Sequence, residues 1–327
     1  MPFNDIRKIG VFTSGGDAPG MNACIRAVVR SGIHYGLEIW GIQRGYNGLI
    51  DGDMKPLESR SVGNIMQKGG TFLHSARSEA FRTKEGRKKA FEQLQKKGID
   101  ALVAIGGDGT FRGANVFSKE YDIPIVGCPG TIDNDLFGTD ITIGYDTAIN
   151  TAMRAIDNIK DTAQAHNRLF FVEVMGRDAG FIALRSGIAT GAEAVLIPEQ
   201  KTNIDVLVST LERLHELKNS SSIVVVAEGD DEGGAFKIAE KVNEKFKDHE
   251  IRVSILGHIQ RGGSPTCMDR VLASKIGLEA VKALISGKRN VMIGQICNET
   301  AYTPFEKTTK HHAAINPALL EMIEILV

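Results

Sequence analysis

The chain has 327 residues, of which 42% are hydrophobic and 24% are charged, and it contains only 9 prolines. This composition is typical of a soluble globular protein, and it excludes a peptide-sized scaffold, a fibrous chain and a disordered chain. At about 150 residues per domain, the length predicts two domains. Lys and Arg total 39 against 40 for Asp and Glu, a net charge of -1. That balance argues against a dedicated nucleic-acid binder or a polybasic membrane protein, because neither partner would meet a strong global field.

Short β-branched runs alternate with longer amphipathic stretches from one end of the chain to the other. The predicted strands span 8–13, 101–105, 123–127, 169–174, 194–197, 223–227, 252–256 and 291–296. Apolar residues at helical spacing predict helices around 149–159 and 207–214, the second after an N-cap at Asn203. This alternation predicts an α/β fold in which helices cover both faces of mostly parallel sheets, with ligands bound beyond the carboxyl ends of the strands.

No targeting or membrane-spanning segment is evident in the sequence. The longest uninterrupted apolar runs, such as 223–227, are far shorter than the ~20 residues needed to cross a bilayer. The cysteines, at positions 24, 128, 267 and 297, are too far apart in sequence to form a C-x-x-C pair or a zinc-like cluster. We therefore expect a cytoplasmic protein with no membrane partner and no nucleic-acid partner.

A glycine-rich segment follows the first predicted strand and precedes a predicted helix. It reads Ser-Gly-Gly-Asp-Ala-Pro-Gly-Met-Asn over residues 14–22. Consecutive glycines at the start of a helix let backbone N–H groups converge on an anion, with help from the helix dipole. The spacing matches neither the P-loop nor the dinucleotide-binding fingerprint, so the segment indicates either another kind of phosphate site or a purely structural turn.

The pentapeptide Gly-Gly-Asp-Gly-Thr at 106–110 repeats this pattern after the predicted strand 101–105. A carboxylate among phosphate-binding amides is expected where a divalent cation lies between it and the phosphates. The alternative is a turn closed by a local hydrogen bond of the Asp side chain. The same pentapeptide occurs in several families of nucleotide-using kinases, so it indicates phosphate chemistry rather than a particular substrate.

A third polar loop, Pro-Gly-Thr-Ile-Asp-Asn-Asp at 129–135, follows the predicted strand 123–127. Asp133 and Asp135 are two residues apart on an irregular loop, so we expect their carboxylates to point in different directions. One then serves an attacking hydroxyl and the other a metal or a neighbouring cation. A polar turn without catalytic role is the alternative. Because the three segments follow three strands, we expect them to converge at one edge of one sheet.

The second half of the chain supplies cationic side chains near the ends of predicted strands. They are Arg168, Arg177, Arg252, His258 and Arg261, the last two within Gly-His-Ile-Gln-Arg-Gly-Gly-Ser-Pro at 257–265. Arginine binds phosphate through a planar bidentate fork, and histidine adds a hydrogen bond without a fixed charge. A single arginine is more often part of a surface ion pair, but the glycines on both sides of 258–261 favour close approach to a substrate.

These motifs together resemble those of the bacterial ATP-dependent 6-phosphofructokinase family. The match runs from about residue 8 to about residue 300, in the family's order and approximate spacing. The resemblance implies a fold of two Rossmann-like three-layer domains. Residues 1–143 with about 258–308 would form the nucleotide-binding domain, and 144–257 with about 309–327 the sugar-phosphate-binding domain.

The resemblance also implies the reaction and the residues that carry it. The reaction would be Mg2+-ATP-dependent phosphorylation of fructose 6-phosphate at its 1-hydroxyl, the committed step of glycolysis. The nucleotide would be held by Gly16, Arg77, Ser78, Gly107, Asp108, Gly109 and Thr110, with Mg2+ on Asp108. Catalysis would fall to the base Asp133 together with Thr131 and Arg177. The sugar phosphate would contact Thr131, Asp133, Arg168, Met175, Gly176, Arg177, Glu228, Arg252, His258 and Arg261.

The same resemblance has consequences for assembly and donor choice. Arg168 and Arg252 would reach in from a neighbouring subunit, which implies an obligatory homo-oligomer, a tetramer in most relatives. Pyrophosphate-dependent relatives tend to carry an acid at the position of Gly109 and a lysine at that of Gly130, so the two glycines favour ATP. A pyrophosphate-dependent enzyme, a lipid or NAD kinase and a non-catalytic nucleotide-binding regulatory subunit are the alternatives.

The resemblance weakens at the position of the family's effector site. Arg26, Arg30 and Glu193 match residues that bind allosteric nucleotide or phosphoenolpyruvate, and Lys160 stands at another of the cationic positions. Three further positions read Ser59, Leu217 and Asn219, with Arg60 and Lys218 one step away. Since each lost charge-assisted contact removes roughly 1.5–3 kcal/mol, we expect ADP or phosphoenolpyruvate to bind weakly or differently.

Overall fold

The computed structural model describes residues 6–166, 168–216, 222–246, 250–308 and 314–326. The chain divides into two compact units. The first is Met1–Ile132, Leu136–Thr147 and Arg261–Ala313, and the second is Asp133–Asp135, Ala148–Gln260 and Ala314–Val327. The boundaries expected from sequence, near 143 and 258, lie a few residues from these. The assignment of nucleotide and sugar phosphate to separate units stays a prediction.

Eleven strands form two sheets within the described residues. In chain order they are β1 (Lys8–Thr13), β2 (Glu38–Ile42), β3 (Met54–Leu57), β4 (Ala101–Gly106), β5 (Ile125–Pro129), β6 (Leu169–Val174), β7 (Ala194–Leu196), β8 (Ser222–Ala227), β9 (Ile251–Ile255), β10 (Val291–Ile296) and β11 (Glu299–Pro304). The sheet of the first unit has the order β11-β10-β5-β4-β1-β2-β3, and that of the second unit β7-β8-β6-β9. All strand pairs are parallel except β2–β3 and β10–β11, which confirms the mostly parallel α/β fold.

The helices alternate with these strands, as the sequence predicts. Among the described residues they are α1 (Met21–His34), α2 (Tyr46–Asp51), α3 (Lys84–Lys97), α4 (Asp108–Tyr121), α5 (Tyr145–His166), α6 (Phe181–Thr190), α7 (Ile204–Glu216), α8 (Ala235–Lys245), α9 (Cys267–Ile285), α10 (Phe305–Thr308) and α11 (Pro317–Leu326). The Asn203 side chain accepts hydrogen bonds from the backbone N–H groups of Asp205 and Val206 at 3.0 and 3.2 Å, so the predicted N-cap of α7 is confirmed.

All eight predicted strands are present, with ends shifted by at most two residues, but β2, β3 and β11 were not predicted. β3 and β11 are the two edges of the first sheet. Their sequences, Met-Lys-Pro-Leu and Glu-Thr-Ala-Tyr-Thr-Pro, mix polar residues and proline with apolar ones because one side of an edge strand faces solvent. The short β2 carries a glycine and a half-buried tryptophan instead of a β-branched run.

The central strands of each sheet are buried almost completely, which explains their continuous hydrophobic sequences. In the first unit, every residue of β4 and β5 is buried, and the aromatic rings of Phe12, Phe111 and Phe117 fill the core beside them. In the second unit, Phe171 on β6 and Val224 on β8 pack in a core with residues of α7 and α8. These cores hold the ends of the strands in fixed positions, and the candidate site residues follow directly from those ends.

The carboxyl ends of β1, β4 and β5 lie side by side at one edge of the first sheet. The backbone N–H of Ser14 donates to the carbonyl of Ile105 at 3.0 Å, and the N–H of Gly130 donates to that of Gly106 at 3.0 Å. These hydrogen bonds extend the parallel ladders by one step into the segments that follow. The convergence of the three segments at one sheet edge, predicted from sequence, is therefore confirmed.

Candidate functional site

The segment between β1 and α1 is held open by hydroxyl groups that bind its backbone carbonyls. Ser75 donates to the carbonyl of Gly15 at 2.9 Å, and Thr110 donates to that of Ser14 at 3.1 Å. Gly15 has φ 86°, a conformation that favours glycine. Gly15 and Gly16 are exposed. With its carbonyls bound from behind, the segment presents an exposed backbone before the start of α1.

Gly16 and Arg261 are brought together in the first unit. A Cβ atom on Gly16 would lie 2.7 Å from Nη1 of Arg261, and the same Nη1 donates to the carbonyl of Asp17 at 3.2 Å. A side chain at position 16 would therefore displace the guanidinium from this position, a contact that sequence spacing does not reveal. Arg261, expected in the sugar-phosphate site, contacts a segment expected to bind the nucleotide.

The pentapeptide at 106–110 leads into a helix, as the phosphate-binding interpretation expects, and is not the isolated turn of the alternative interpretation. β4 includes Gly106, Gly107 is the N-cap, and Asp108 is the first residue of α4. A Cβ atom on Gly106 would lie 2.3 Å from Oγ1 of Thr110 and 2.5 Å from the carbonyl oxygen of Ser14. The free N–H groups of this first turn point toward the N-terminal end of the helix, which makes the turn a potential anion site.

Tyr46 supports this first turn from below and was not singled out from sequence. Its hydroxyl donates to the carbonyl of Thr110 at 2.5 Å, and its ring stacks on Phe81 with centroids 3.9 Å apart. Burial raises the pKa of the Tyr46 hydroxyl, so the group stays neutral and keeps its proton for this bond. A tyrosine outside the glycine motifs carries no sequence signal of such a role.

Both carboxylate oxygens of Asp108 bind Arg112, one helical turn further along α4. Nε of Arg112 donates to Oδ1 at 3.0 Å, and Nη2 lies 2.9 Å from Oδ2. The signal for this pair was present in the sequence, because Asp and Arg four residues apart face each other on a helix. Asp108, the metal ligand that the resemblance implies, is thus paired with Arg112 of the same chain.

Asp108 fits an ion shared with substrate phosphates better than one bound by protein alone. Among the described residues, no group of three or more His, Cys, Asp or Glu side chains is placed to hold a metal ion. Mg2+ in phosphoryl-transfer sites is typically held by one or two carboxylates together with the phosphates. Open space adjoins this turn, because a Cβ atom on Gly109 would meet nothing within 4 Å.

Arg77 and Ser78 lie in the segment before the 3-10 helix Ala80–Arg82. The Arg77 side chain is exposed, and its carbonyl accepts a hydrogen bond from Asn47 at 3.5 Å. The hydroxyl of Ser78 accepts the backbone N–H of Phe81 at 3.3 Å. Arg77 is therefore available to a ligand, whereas Ser78 already has a structural partner.

Thr131 and Asp133 belong to different units although they are two residues apart. Thr131 is buried in the first unit, where its carbonyl accepts the hydroxyl of Thr142 at 2.7 Å and its side chain faces Gly107. Asp133 belongs to the second unit with 134 and 135, and it is 8% exposed. The irregular backbone predicted for this loop is confirmed, with Asn134 at φ 55°.

In the second unit, residues 175–177 and Glu228 meet at the carboxyl ends of the neighbouring strands β6 and β8. Oε1 of Glu228 accepts the backbone N–H of Arg177 at 2.7 Å and that of Gly176 at 3.3 Å. Arg177 has φ 57°, and a Cβ atom on Gly229 would lie 2.0 Å from the Arg177 carbonyl oxygen. Glu228 thus stabilises a strained turn whose exposed side chain is Arg177.

Arg168 and Arg252 lie at the opposite end of the same sheet. Arg168 precedes β6, and Arg252 pairs with Phe170 in the register of β6 and β9. The six residues of β6 lie between Arg168 and Met175, which places the two residues about 23 Å apart at ~3.3 Å per step. Within one chain, these two arginines therefore lie at the other end of the sheet from Arg177, whereas the resemblance assigns them to the site of a neighbouring subunit.

The other cations expected at the sugar phosphate lie in the 3-10 helix Gly257–Arg261, where His258 is exposed. Because β9 ends at Ile255, His258 lies after the strand and not within it.

The residues expected to bind effectors have local partners. On α1, Arg30 donates to the carbonyl of Ser59 at 3.5 Å, and Arg26 is half-buried. In the second unit, Lys160 donates to the carbonyls of Thr190 and Gly191 at 2.8 and 3.2 Å, at the end of α6.

Glu193 and Arg60, at or next to further expected effector positions, also have partners within the chain. Glu193 accepts the backbone N–H of Ile223, and burial raises the pKa of its carboxyl. Arg60 forms an ion pair with Glu58 at 2.7 Å. Leu217, Lys218 and Asn219 lie outside the described residues.

Asp269 is a buried carboxylate that sequence reasoning missed entirely. Its oxygens accept the backbone N–H groups of Gly144 and Thr147, both at 2.8 Å, and the hydroxyl of Thr147 at 2.5 Å. Its own N–H donates to Thr266, the N-cap of α9. Asp269 therefore ties the start of α5 to the start of α9, the helix that follows the segment carrying Arg261.

Comparison with known proteins identifies close relatives over the whole chain. A family model described as phosphofructokinase matches residues 8–284. A protein of Cytophaga hutchinsonii named ATP-dependent 6-phosphofructokinase is 56% identical over 321 residues, which cover 98% of each chain. ATP-dependent 6-phosphofructokinase 1 of Thermus thermophilus is 54% identical over 321 residues, covering 98% of this chain and 99% of the other.

Solved structures with the same fold include one from yeast. A chain of Saccharomyces cerevisiae phosphofructokinase matches with a TM-score of 0.89 and 36% identity over 98% of this chain, which spans 47% of the yeast chain. A pyrophosphate-dependent phosphofructokinase of Marinobacter aquaeolei matches with a TM-score of 0.84 at 20% identity, covering 98% of this chain and 92% of that one, a likeness of fold alone. No helix among the described residues is both long and apolar enough to cross a membrane.

Proposed function

The chain belongs to the phosphofructokinase family, and we propose that it transfers the terminal phosphoryl group of ATP to the 1-hydroxyl of fructose 6-phosphate. The observation that carries the proposal is the sheet edge of the first unit, where the segments after β1, β4 and β5 meet. The segment after β4 presents exposed Gly109 in the first turn of α4, which suits it to bind the phosphates of a nucleotide. The segment after β1 presents exposed Gly15 and Gly16, four to five residues before the N-cap of α1.

The donor is proposed to lie against Gly16, Arg77 and residues 107–110. Phosphoryl transfer depends on alignment and charge neutralisation more than on covalent chemistry, and this arrangement supplies fixed N–H groups and one exposed guanidinium. Asp108 would hold Mg2+, which when bound neutralises charge on the donor phosphates. Each oxygen of Asp108 keeps a second lone pair beside its contact with Arg112, so a metal would share the carboxylate with this arginine.

The acceptor is proposed to bind Arg177, Glu228, His258 and Arg261, with Met175 and Gly176 beside them. Asp133 would act as the base that accepts the proton of the 1-hydroxyl, with Thr131 next to it in the loop. Arg177 would place positive charge near the transferring group. The turn that Glu228 holds supports the role of Arg177, since it leaves that side chain exposed.

The active form is proposed to be a homo-oligomer, in which Arg168 and Arg252 serve the site of a neighbouring subunit. The support comes from the sheet of the second unit, whose opposite ends carry these two arginines and Arg177. At ~3.3 Å per residue, Arg168 lies about 23 Å and the register position of Arg252 about 16 Å from Met175 along the sheet, so these two arginines are proposed not to share a phosphate with Arg177 of the same chain. A neighbouring chain would resolve this separation, and a tetramer is the form expected from the resemblance.

ATP is favoured over pyrophosphate as the donor. The relatives at 54% and 56% identity are named ATP-dependent, whereas the pyrophosphate-dependent structure is 20% identical. Locally, the open space beside Gly109 is free of any side chain. A Cβ atom on Gly130 would lie 3.0 Å from side-chain atoms of Ile105 and Met21, so a lysine at that position would require repacking.

The proposed activity is tested by a coupled assay of the full-length protein with fructose 6-phosphate and either ATP or pyrophosphate, each with Mg2+. We expect turnover with ATP and a rate at least about 100-fold lower with pyrophosphate, a difference of ~2.7 kcal/mol in transition-state stabilisation. A higher rate with pyrophosphate than with ATP would show that pyrophosphate is the donor. Binding of ATP without turnover of either donor would favour the non-catalytic regulatory subunit.

Effector binding is proposed to be weaker than in relatives with a full set of cations. Lys160 is held by two backbone carbonyls and Arg60 by Glu58, so an anionic effector would have to displace these partners. We expect micromolar phosphoenolpyruvate to leave the affinity for fructose 6-phosphate unchanged in an initial-rate assay. A severalfold loss of affinity at that concentration would contradict the proposal.

A further inference from the structure

We propose that the carboxylate of Glu250 is an internal counter-ion for Arg168 and Arg252, and that it competes with the phosphate group of the acceptor for both guanidinium groups. The proposal rests on the proposed function, which assigns these two arginines to a sugar phosphate. It adds Glu250, which neither the motifs nor the resemblance singled out, as a residue that sets the affinity for that phosphate.

The geometry divides one carboxylate between two arginines. Nε of Arg168 donates to Oε2 of Glu250 at 2.5 Å, and Nη2 of Arg252 donates to Oε1. Each oxygen therefore serves one guanidinium. A carboxylate and a phosphate present oxygens to arginine in similar ways, so Glu250 occupies the position in which a phosphate would bind both side chains.

The backbone fixes this arrangement. The N–H of Leu169, next to Arg168, donates to the carbonyl of Glu250 at 3.2 Å. Glu250 directly precedes β9, and Ile251 pairs with Leu169 in the register of β6 and β9. Because all three charged residues stem from the paired ends of two adjacent strands, their side chains meet without any long loop to order.

Charge and exposure make the carboxylate displaceable. The side chains of Arg168, Glu250 and Arg252 are 27%, 44% and 53% exposed, and ion pairs at this exposure are weak. The cluster has a net charge of one positive unit. A phosphate monoester carries about -1.5 to -2 at neutral pH, so it attracts the two guanidinium groups more strongly than a carboxylate does.

Two consequences follow for ligand binding. A phosphate group must displace Glu250 from the two arginines or share them with it. The affinity of the protein for the phosphate is therefore lower than it would be if the two arginines had no such counter-ion. Singly charged anions such as carboxylates gain nothing from the exchange, because they only replace one carboxylate by another. Glu250 would thus favour a doubly charged phosphate ester over the carboxylates of the cell.

The test compares the full-length wild-type protein with Glu250→Gln, which removes the charge and keeps the size. Binding of fructose 6-phosphate is measured by isothermal titration calorimetry without nucleotide, in a buffer free of phosphate and sulfate. We expect the Kd of Glu250→Gln to be about 3–10-fold lower than that of the wild type, with kcat for the ATP reaction within twofold. An unchanged or higher Kd would overturn the proposal.

Two control variants separate competition from other effects. Glu240→Gln removes an exposed carboxylate on α8 of the same unit and is expected to leave the Kd unchanged. Glu250→Asp keeps the charge and is expected to stay within twofold of the wild type. If Glu250→Gln does not fold, a Kd for Glu250→Asp that lies above the wild-type value by more than twofold would overturn the proposal by indicating that Glu250 positions the arginines instead.

The same titration separates failure of this proposal from failure of the proposed function. If the wild-type protein binds no fructose 6-phosphate and shows no turnover, the proposed function is wrong. If it binds and turns over the sugar phosphate while Glu250→Gln has the wild-type Kd, the proposed function stands and only the competition is refuted. Inorganic sulfate as a second titrant checks that the effect follows the doubly charged anion rather than the sugar.

Discussion

The two units offer ligands different kinds of chemistry. In the first unit, the candidate donor site consists mainly of backbone and glycine, held by hydrogen bonds from Ser75, Thr110 and Tyr46 to carbonyl oxygens. In the second unit, Arg168 and Arg252, two of the residues proposed to bind the acceptor, pair with the carboxylate of Glu250. The first arrangement thus relies on hydrogen-bonded backbone, and the second on charged side chains that already have an ionic partner.

This difference follows from the structure of the ligands. The phosphates of a nucleotide can be bound by N–H groups at helix starts, which have fixed directions and need no reorganisation. A small sugar phosphate presents less surface, so discrimination depends on charge placed by side chains. We therefore expect substitutions in the first unit to act through packing and those in the second unit to act through charge.

The largest expected effect comes from Asp133→Asn in the second unit. The amide cannot accept the proton of the 1-hydroxyl, so we expect kcat to fall by about 10²–10⁴ while the Kd of the sugar phosphate changes little. Steady-state kinetics and calorimetry measure the two quantities. Asp157→Asn, an exposed residue on α5, is the matched control, and wild-type kcat in Asp133→Asn would refute the assignment of the base.

Arg252→Ala should weaken binding of fructose 6-phosphate while leaving the rate of the chemical step nearly unchanged. Loss of one guanidinium removes ground-state contact with the phosphate, so we expect KM for fructose 6-phosphate to rise about 10–100-fold with kcat nearly retained. Arg213→Ala on α7 removes an exposed arginine from the same unit and should leave KM unchanged. An effect confined to kcat would place Arg252 in the chemical step instead.

In the first unit, two glycines of one pentapeptide should respond oppositely to alanine. The Cβ of Gly106→Ala meets Oγ1 of Thr110 at 2.3 Å, so we expect a loss of about 1–3 kcal/mol in the free energy of unfolding. Gly109→Ala meets nothing within 4 Å and lies in the first turn of α4, so we expect a neutral change or a gain of up to about 1 kcal/mol. Urea unfolding of both variants decides, and equal changes would contradict the packing argument.

The smallest effect is expected from the pH dependence of Asp269. Burial raises the pKa of its carboxyl from 3.8 to about 6, aided by the charge of Asp146. The folded state thus keeps a proton that the unfolded chain has released between these two values. This contribution to stability is fully present below about pH 4 and is lost as the pH rises through about 6.

Asp269→Asn should remove this contribution. We expect the difference in unfolding free energy between the wild type and Asp269→Asn to change by about 1 kcal/mol per pH unit between pH 4 and 6, and to stay constant above pH 7. Urea unfolding across that range measures it. Parallel pH profiles of the two proteins would show that the hydrogen bonds from Gly144 and Thr147 keep the carboxylate charged instead.

The sequence alone was sufficient for the fold class, the family and the main elements. Buried parallel strands such as β4 and β6 are recognisable because both of their faces are apolar, and helix starts because they need caps such as Asn203. The three glycine-containing segments were located for the same reason, since each directly follows such a strand. The order of strands in a parallel sheet then determines that the segments lie side by side.

Only the tertiary structure shows which residues far apart in sequence come into contact. The contacts of Gly16 with Arg261, of Tyr46 with Thr110 and of Asp269 with Gly144 join residues separated by 64 to 245 positions, and no local pattern encodes them. The pairing of Glu250 with both arginines depends on the register of β6 and β9. Periodicity and motifs report on neighbours along the chain, whereas packing and the balance of charges depend on neighbours in space.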